Sequence, residues 1–121
     1  MEESILTEIK KMLGITEDYE HFDTDVMIHI NSAFNTLYQL GVMDQSPFTI
    51  TGKEEKWSDY FGDEELYKRM QMVKPYIFLK VKQAFDPSGS SVLSASFDNQ
   101  IKELEWRLMI EAEAIKASRT E

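Results

Sequence analysis

The sequence contains no cysteine, and it has only five glycines, three prolines and two histidines. Without cysteine, the chain can form neither a disulfide framework nor a thiolate metal site. Few glycines also leave little material for a phosphate-binding loop, and no Gly-rich loop, nucleophile elbow or HExxH pattern occurs. These absences argue against an enzyme and against a bound cofactor.

The sequence also lacks a long apolar run. Its first residues, MEESILTEIKK, are acidic where a signal peptide needs a basic region. No apolar run approaches the ~18 residues that a membrane span requires. We therefore expect a soluble protein with no membrane partner.

Positive charge is scarce. Twenty-two acidic and thirteen basic residues give a formal net charge of -9, so the phosphate backbone of a DNA duplex would be repelled at long range. The densest basic stretch, residues 74–82, spreads its lysines among apolar residues, which is typical of the solvated face of a helix. We expect no specific binding to DNA.

Helical periodicity runs through most of the chain. With 121 residues and 14.1 kDa, the length fits a single domain covering residues 1–121. Four principal helices are predicted over residues 4–13, 24–40, 63–85 and 91–117, with Ser4 as the cap of the first. Pro75 lies inside the third, so we expect a kink there or two shorter helices that meet near it. The fold class is therefore an all-α bundle.

The helix predicted over residues 24–40 is the central element. Asp23 or Thr24 is the expected N-cap, and Gly41 can adopt the left-handed conformation that ends a helix. Its apolar residues recur at spacings of three and four and so line one side. They are Val26, Met27, Ile30, Ala33, Phe34, Leu37 and Leu40. The opposite side is polar but carries few charges.

The connection between the second and third helices is irregular. Residues 48–51 alternate in polarity as a short, half-buried β-like segment would. Trp57, Tyr60 and Phe61 follow within five residues, on a single helical turn for which Ser58 is a possible cap. These aromatic side chains form either a lid on the core or a docking patch, and the large burial that aromatic residues supply favours the lid.

The last helix has more apolar surface than one contact requires. Its main seam consists of Leu93, Phe97, Ile101, Leu104, Leu108, Ala112 and Ile115. Trp106, Met109 and Ile110 lie off that seam. An apolar surface this wide is buried in a core, here by wrapping the first helix, or against another chain. The candidate interface residues are therefore Trp57, Tyr60, Phe61, Trp106, Met109 and Ile110.

One cluster contains residue types that bind metals: His21, Asp23, Asp25 and His29. Asp25 and His29 are four apart and share a helical face. Both aspartates also suit a helix start, and no second cluster supplies further ligands. We therefore predict neither a metal site nor catalytic residues.

Five segments carry a resemblance to a known family: ILTEIKKMLGI, HFDTDVMIHINSAFNTLYQLGV, WSDYFGD, YIFLKVKQAFDP and EWRLMIEAEA. In this order and spacing, the chain resembles the head-tail connector, or head-tail adaptor, proteins of tailed bacteriophages and prophages. The resemblance covers residues 5 to about 114. Its motifs are structural rather than catalytic.

The resemblance implies a structural virion protein of the phage neck. Such a subunit assembles into a ring, dodecameric in the virion, between the portal protein of the DNA-filled head and the next neck or tail-completion protein. It implies a location at the head-tail junction, after a period in the host cytoplasm before assembly. DNA would pass through the ring without specific binding, and an acidic wall would let the duplex slide.

Two other functions remain open on the sequence. The chain is alternatively a small helical protein-binding or regulatory module that grips a partner with its last helix and has no virion role. A metal-dependent hydrolase built on His21 to His29 is a third reading. Genes for portal, capsid and tail proteins beside this one would favour the virion role, and a neighbouring repressor gene would favour the regulatory module.

Overall fold

The structure is a computed structural model that describes residues 2–43, 47–85 and 91–119. Within these ranges the chain forms helices joined by short irregular segments, and no strand occurs. The helices are α1 (Ile5–Met12), α2 (Asp23–Gln39), α3 (Trp57–Phe61), α4 (Glu64–Arg69), α5 (Val73–Phe85) and α6 (Ser91–Arg119). The all-α prediction is confirmed.

The start of α1 is held by the predicted cap and by a contact far along the chain. Ser4 Oγ accepts a hydrogen bond from the Thr7 amide at 3.1 Å. The Ile5 amide donates to the Glu55 carbonyl at 2.9 Å, beside an isolated antiparallel bridge between Ser4 and Lys56. The N-terminal residues are thus tied to the segment that leads into α3.

The central helix α2 buries the apolar side that its periodicity indicates. Val26, Ile30, Ala33, Phe34 and Leu37 are all buried. The cap prediction was wrong, because α2 begins at Asp23, is preceded by Phe22 and has no side-chain cap. Asp23 instead forms an ion pair with Lys10, because the two side chains meet where α1 packs on α2.

The predicted third helix is two helices. α4 ends at Arg69 and α5 begins at Val73, so Pro75 lies in the first turn of α5. A proline is tolerated there because the first amides of a helix have no partner within it. The second of the two predicted outcomes, shorter helices that meet near the proline, is therefore confirmed.

The irregular connection contributes α3 and a half-buried extended segment. Ile50 is buried while Thr49 and Thr51 are exposed, as the alternation predicts. The Ser58 cap was wrong, since α3 begins at Trp57 and the Lys56 amide donates to Asp59 Oδ2 at 2.8 Å. The Ser58 hydroxyl instead donates to the Glu2 carboxylate at 2.7 Å.

α5 lies between α2 and α6. It packs against both helices, whereas α2 and α6 have no comparable packing with each other. The seam on α6 is confirmed where the structure describes its side chains: Ile101, Leu108, Ala112 and Ile115 are buried, and Phe97 and Leu104 are partly buried. Leu93 lies outside the described side chains. The alternative in which the last helix wraps the first one is wrong, because α6 packs along α5 instead.

Candidate assembly interface

The six candidate interface residues fall into two groups. Trp57, Tyr60 and Phe61 are buried inside the subunit, with at most 4% of each residue exposed. Trp57 and Tyr60 pack against Phe34, with ring centroids 6.0 and 4.5 Å from that of Phe34, and Phe61 packs against Tyr60 at 5.1 Å. Burial also raises the pKa of the Tyr60 hydroxyl. This placement favours the core lid for these three residues over the docking patch.

Trp106, Met109 and Ile110 form the second group, called here the α6 patch. Trp106 is 63% exposed, Ile110 46% and Met109 37%. Residues three and four apart on a helix share a face, and this face lies opposite the seam that packs on α5. The α6 patch is therefore an apolar surface that the described residues of the subunit leave largely exposed.

A groove adjoins the α6 patch. It has a volume of about 450 Å³, and its lining combines α6 with the region between α4 and α5. Met72, itself 37% exposed, contributes apolar surface beside Trp106 and Ile110. Arg69 and Arg107 contribute its positive charge. The α6 patch is thus part of a larger, partly concave surface.

Polar side chains fasten α6 to the helices below it. Tyr76 donates to Glu105 Oε2 at 2.7 Å, and Arg69 pairs with Glu111 at 2.6 Å. Near the end of α6, Arg119 pairs with Asp63 at 3.1 Å and Glu65 at 2.7 Å.

The pKa of Tyr76 is raised by burial and by its bond to Glu105. The pKa of Asp63 is lowered by its bond from the Leu66 amide and by Arg119. These contacts position the α6 patch on a rigid support.

The family model described as "Phage connector protein" matches residues 5–114. The chain belongs to this family of phage connector proteins. No curated protein and no solved structure matches the chain. The family model covers nearly the same residues as the resemblance noted in the sequence, and it agrees with the all-helical fold.

Membership in the connector family fixes the broad role of this protein. Phage connector proteins are structural proteins that assemble with other structural proteins of the phage particle, so the virion is where this one belongs. The family is not known for enzymatic activity. None of the helices in the described ranges is long and apolar enough to cross a membrane.

Several exposed apolar residues of this connector were missed by periodicity. Met72 lies between α4 and α5, and the periodicity of the sequence assigned it to no exposed surface. Ile28 and Tyr38 are 58% and 42% exposed on the side of α2 that was interpreted as simply polar. The exposure of Ile28 and Tyr38 could have been predicted from the sequence, because each is a large apolar or aromatic residue outside the apolar stripe of α2.

The four residues of metal-binding type, His21, Asp23, Asp25 and His29, have other surroundings in the structure. Asp23 Oδ1 lies 2.7 Å from Lys10 Nζ, so its charge is already paired. His29 instead lines a small cavity with Ser32 and Lys80, against α5. Within the described ranges, no group of three or more histidine or acidic side chains is arranged to hold a metal ion.

Proposed function

We propose that this connector forms a ring at the head-tail junction, between the portal protein and the next neck or tail-completion protein. The unit that assembles is the single domain of residues 1–121, and the ring is dodecameric in the virion. The observation that carries the proposal is the α6 patch. A soluble chain that leaves Trp106 63% exposed beside Ile110 and Met109 has an apolar surface suited to a neighbouring protein.

Charge supports the passage of DNA through such a ring. The formal net charge is -9, and the two arginines near the α6 patch, Arg69 and Arg107, are paired with acidic side chains. A wall of this kind attracts no duplex and leaves DNA free to move. Family membership favours this structural role over the regulatory module. No other observation supports the regulatory module.

The test is Trp106→Glu in the phage that carries this gene. A carboxylate in place of the indole removes a large interface anchor, a loss of ~2 kcal/mol or more at each contact. We expect filled heads and separate tails that do not join, counted by electron microscopy. The purified variant should remain helical and melt cooperatively, because the indole does not belong to the buried seam.

Gln100→Glu is the matched control. It adds the same charge to an exposed position of α6 outside the patch, and virions should form normally. Normal virions with Trp106→Glu would contradict the assembly role of the patch. An unfolded Trp106→Glu protein would instead place the indole in the subunit's own core.

A further inference from the structure

The longest charge-free stretch of the chain covers the central helix after its first turn, together with the turn that follows it. No Asp, Glu, Lys or Arg occurs from Val26 to Met43, although 29% of the whole chain is charged. A solvated helix face in an acidic protein ordinarily carries charge. Interfaces between proteins, by contrast, are depleted of charge in their centres.

This lack of charge continues at the exposed surface of α2. Ile28, Ser32, Asn35 and Gln39 are exposed in successive turns and define what we call the α2 face. Among the side chains that the structure describes, Ile28 is the most exposed large apolar one after Trp106, at 58%. The α2 face therefore joins one apolar anchor to short, neutral polar side chains. Lys80 of α5 lies near its edge, in the cavity with His29 and Ser32.

The α2 face and the α6 patch lie on different sides of α5. Each is opposite the buried stripe of its own helix, and α5 separates the two helices, although Ser32 at the edge of the α2 face also lines the cavity with Lys80 of α5. Two different surfaces on one subunit permit a heterologous, head-to-tail contact. Repetition of such a contact closes a ring, whereas a contact of one patch with itself gives only a dimer.

Charge decides which occupant fits. Two copies of a chain with a net charge of -9 repel each other unless they meet through surfaces without excess negative charge. The α2 face carries no charged residue from Ile28 to Gln39, and exposed Asp25 lies at its N-terminal end. Beside the α6 patch, Arg69 and Arg107 pair with Glu111 and Glu103 at 2.6 and 3.8 Å. Exposed Lys102 and Glu113 add one charge of each sign beside the α6 patch. Both surfaces therefore carry little excess negative charge, so two copies can approach each other through them.

We propose that the α6 patch of one subunit packs on the α2 face of the next, so that Trp106 contacts the neighbour's Ile28. This inference rests on the proposed ring and names the two surfaces that form it. Each surface offers few large apolar side chains, so a single contact is small beside the ~800 Å² per partner of a standard stable interface. Free subunits consequently associate weakly, and the portal gathers them.

The absence of cysteine allows a direct test by thiol cross-linking. Ser32→Cys marks the α2 face and leaves Ile28 in place, and Met109→Cys marks the α6 patch and leaves Trp106 in place. Each variant is bound to portal rings of the same phage, alone or mixed, and treated with a short bismaleimide. The products are separated by denaturing electrophoresis.

The mixture should give a covalent dimer, and a chain with both substitutions should give a ladder of higher oligomers. Each single variant alone should stay monomeric. Glu54→Cys, an exposed site away from both surfaces, is mixed with Met109→Cys as the control. Neighbours held in contact have a high effective concentration, so we expect about tenfold or more dimer from the matched mixture than from the control.

Two results would overturn the proposal. Covalent dimers from either single variant would mean that each surface contacts the same surface of a second copy. A mixture that gives no more dimer than the control would mean that the α6 patch and the α2 face do not meet. In both cases wild-type protein still bound to portal rings would leave the proposed function intact. Wild-type protein that does not bind portal rings at all would contradict the proposed function itself.

Discussion

Within the described part of the chain, Lys10 is the charged residue that the fold buries, with only 1% of it exposed. Its ammonium donates to the carbonyls of Glu17 and Tyr19 at 3.1 and 2.7 Å and pairs with Asp23 at 2.7 Å. These partners all lie in or after the loop between α1 and α2. A buried ammonium satisfied in this way holds the loop in one conformation, since every alternative leaves a charge unpaired.

Lys10→Ala should lower the free energy of unfolding by about 3–5 kcal/mol, because Asp23 and two carbonyls lose their partner in a mostly buried site. Lys11→Ala is the natural control, since Lys11 is exposed and pairs only with Glu3 on the surface. Its loss should stay below about 1 kcal/mol. Urea denaturation of both variants measures the difference, and equal losses would show that the buried site contributes nothing special.

Glu2 gives the second prediction at this scale. Its carboxylate accepts bonds from the Ser58 hydroxyl at 2.7 Å, the Ser58 amide at 3.2 Å and the Tyr67 hydroxyl at 2.9 Å. Burial raises the pKa of Glu2, but these bonds outweigh burial and bring the pKa below its ordinary value of 4.5. A lowered pKa stabilises the folded state above pH 4.5, and this stability is lost as the pH falls through the folded-state pKa.

In Glu2→Gln, the unfolding free energy should therefore fall less steeply than in the wild type as the pH is lowered below 4.5. Ser58→Ala removes a partner of the same carboxylate and should flatten the profile in the same direction. Denaturant midpoints measured across this range provide the comparison. Parallel profiles for all three proteins would mean that the N-terminal contact is not formed in solution.

Among the helices, α2 organises the others because both of its sides are used. One side buries apolar residues against α1 and α5. The other carries Asn31, whose amide donates to the Ile50 carbonyl at 3.0 Å and accepts from the Ile50 amide at 2.7 Å. This pair replaces the strand partner that the extended segment lacks, because it satisfies both backbone groups of a buried residue.

Asn31→Ala should release that segment. Two hydrogen bonds are lost and the Ile50 backbone is left unpaired, so we expect a loss of about 1–3 kcal/mol. Asn35→Ala, on an exposed position of the same helix, should cost a few tenths of a kcal/mol. Hydrogen exchange at Ile50 should accelerate only in the first variant. Unchanged protection at Ile50 would show that the clamp is not needed.

Across the whole molecule, charge and apolar surface are distributed unevenly. All of the Asp, Glu, Lys and Arg residues lie outside residues 26–43, while Ile28 and the α6 patch provide exposed apolar surface on different sides. This arrangement opposes association at long range and allows it at two places. Assembly of a ring from such subunits is therefore opposed by electrostatic repulsion between the acidic copies, which salt can screen.

Raising the salt concentration from about 0.1 M to about 1 M shortens the Debye length from about 10 Å to about 3 Å. We expect weak self-association of the purified protein to strengthen over this range, as measured by sedimentation. Apolar contacts are not weakened by salt, while the repulsion between copies is screened. Association that weakens with salt would instead indicate an interface held by ion pairs.

The sequence by itself determined the helices and the stripes that they bury. The seams of α2 and α6 could be read because each side chain's burial follows from its position in a 3.6-residue repeat. The extra apolar surface formed by Trp106, Met109 and Ile110 could be predicted for the same reason, since these residues lie outside the apolar repeat of their own helix. The motifs that resemble connector proteins are also local in the sequence.

Only the tertiary structure decided which residues far apart in the chain meet. Neither the burial of Lys10 nor the clamp of Asn31 on Ile50 has a local signal, because each depends on a partner from another segment. The same holds for the aromatic cluster: Trp57 and Tyr60 are buried against Phe34 of α2, and Phe61 is buried against Trp57 and Tyr60. The position of α5 between α2 and α6 was likewise set by packing, and it is what leaves two separate faces uncovered.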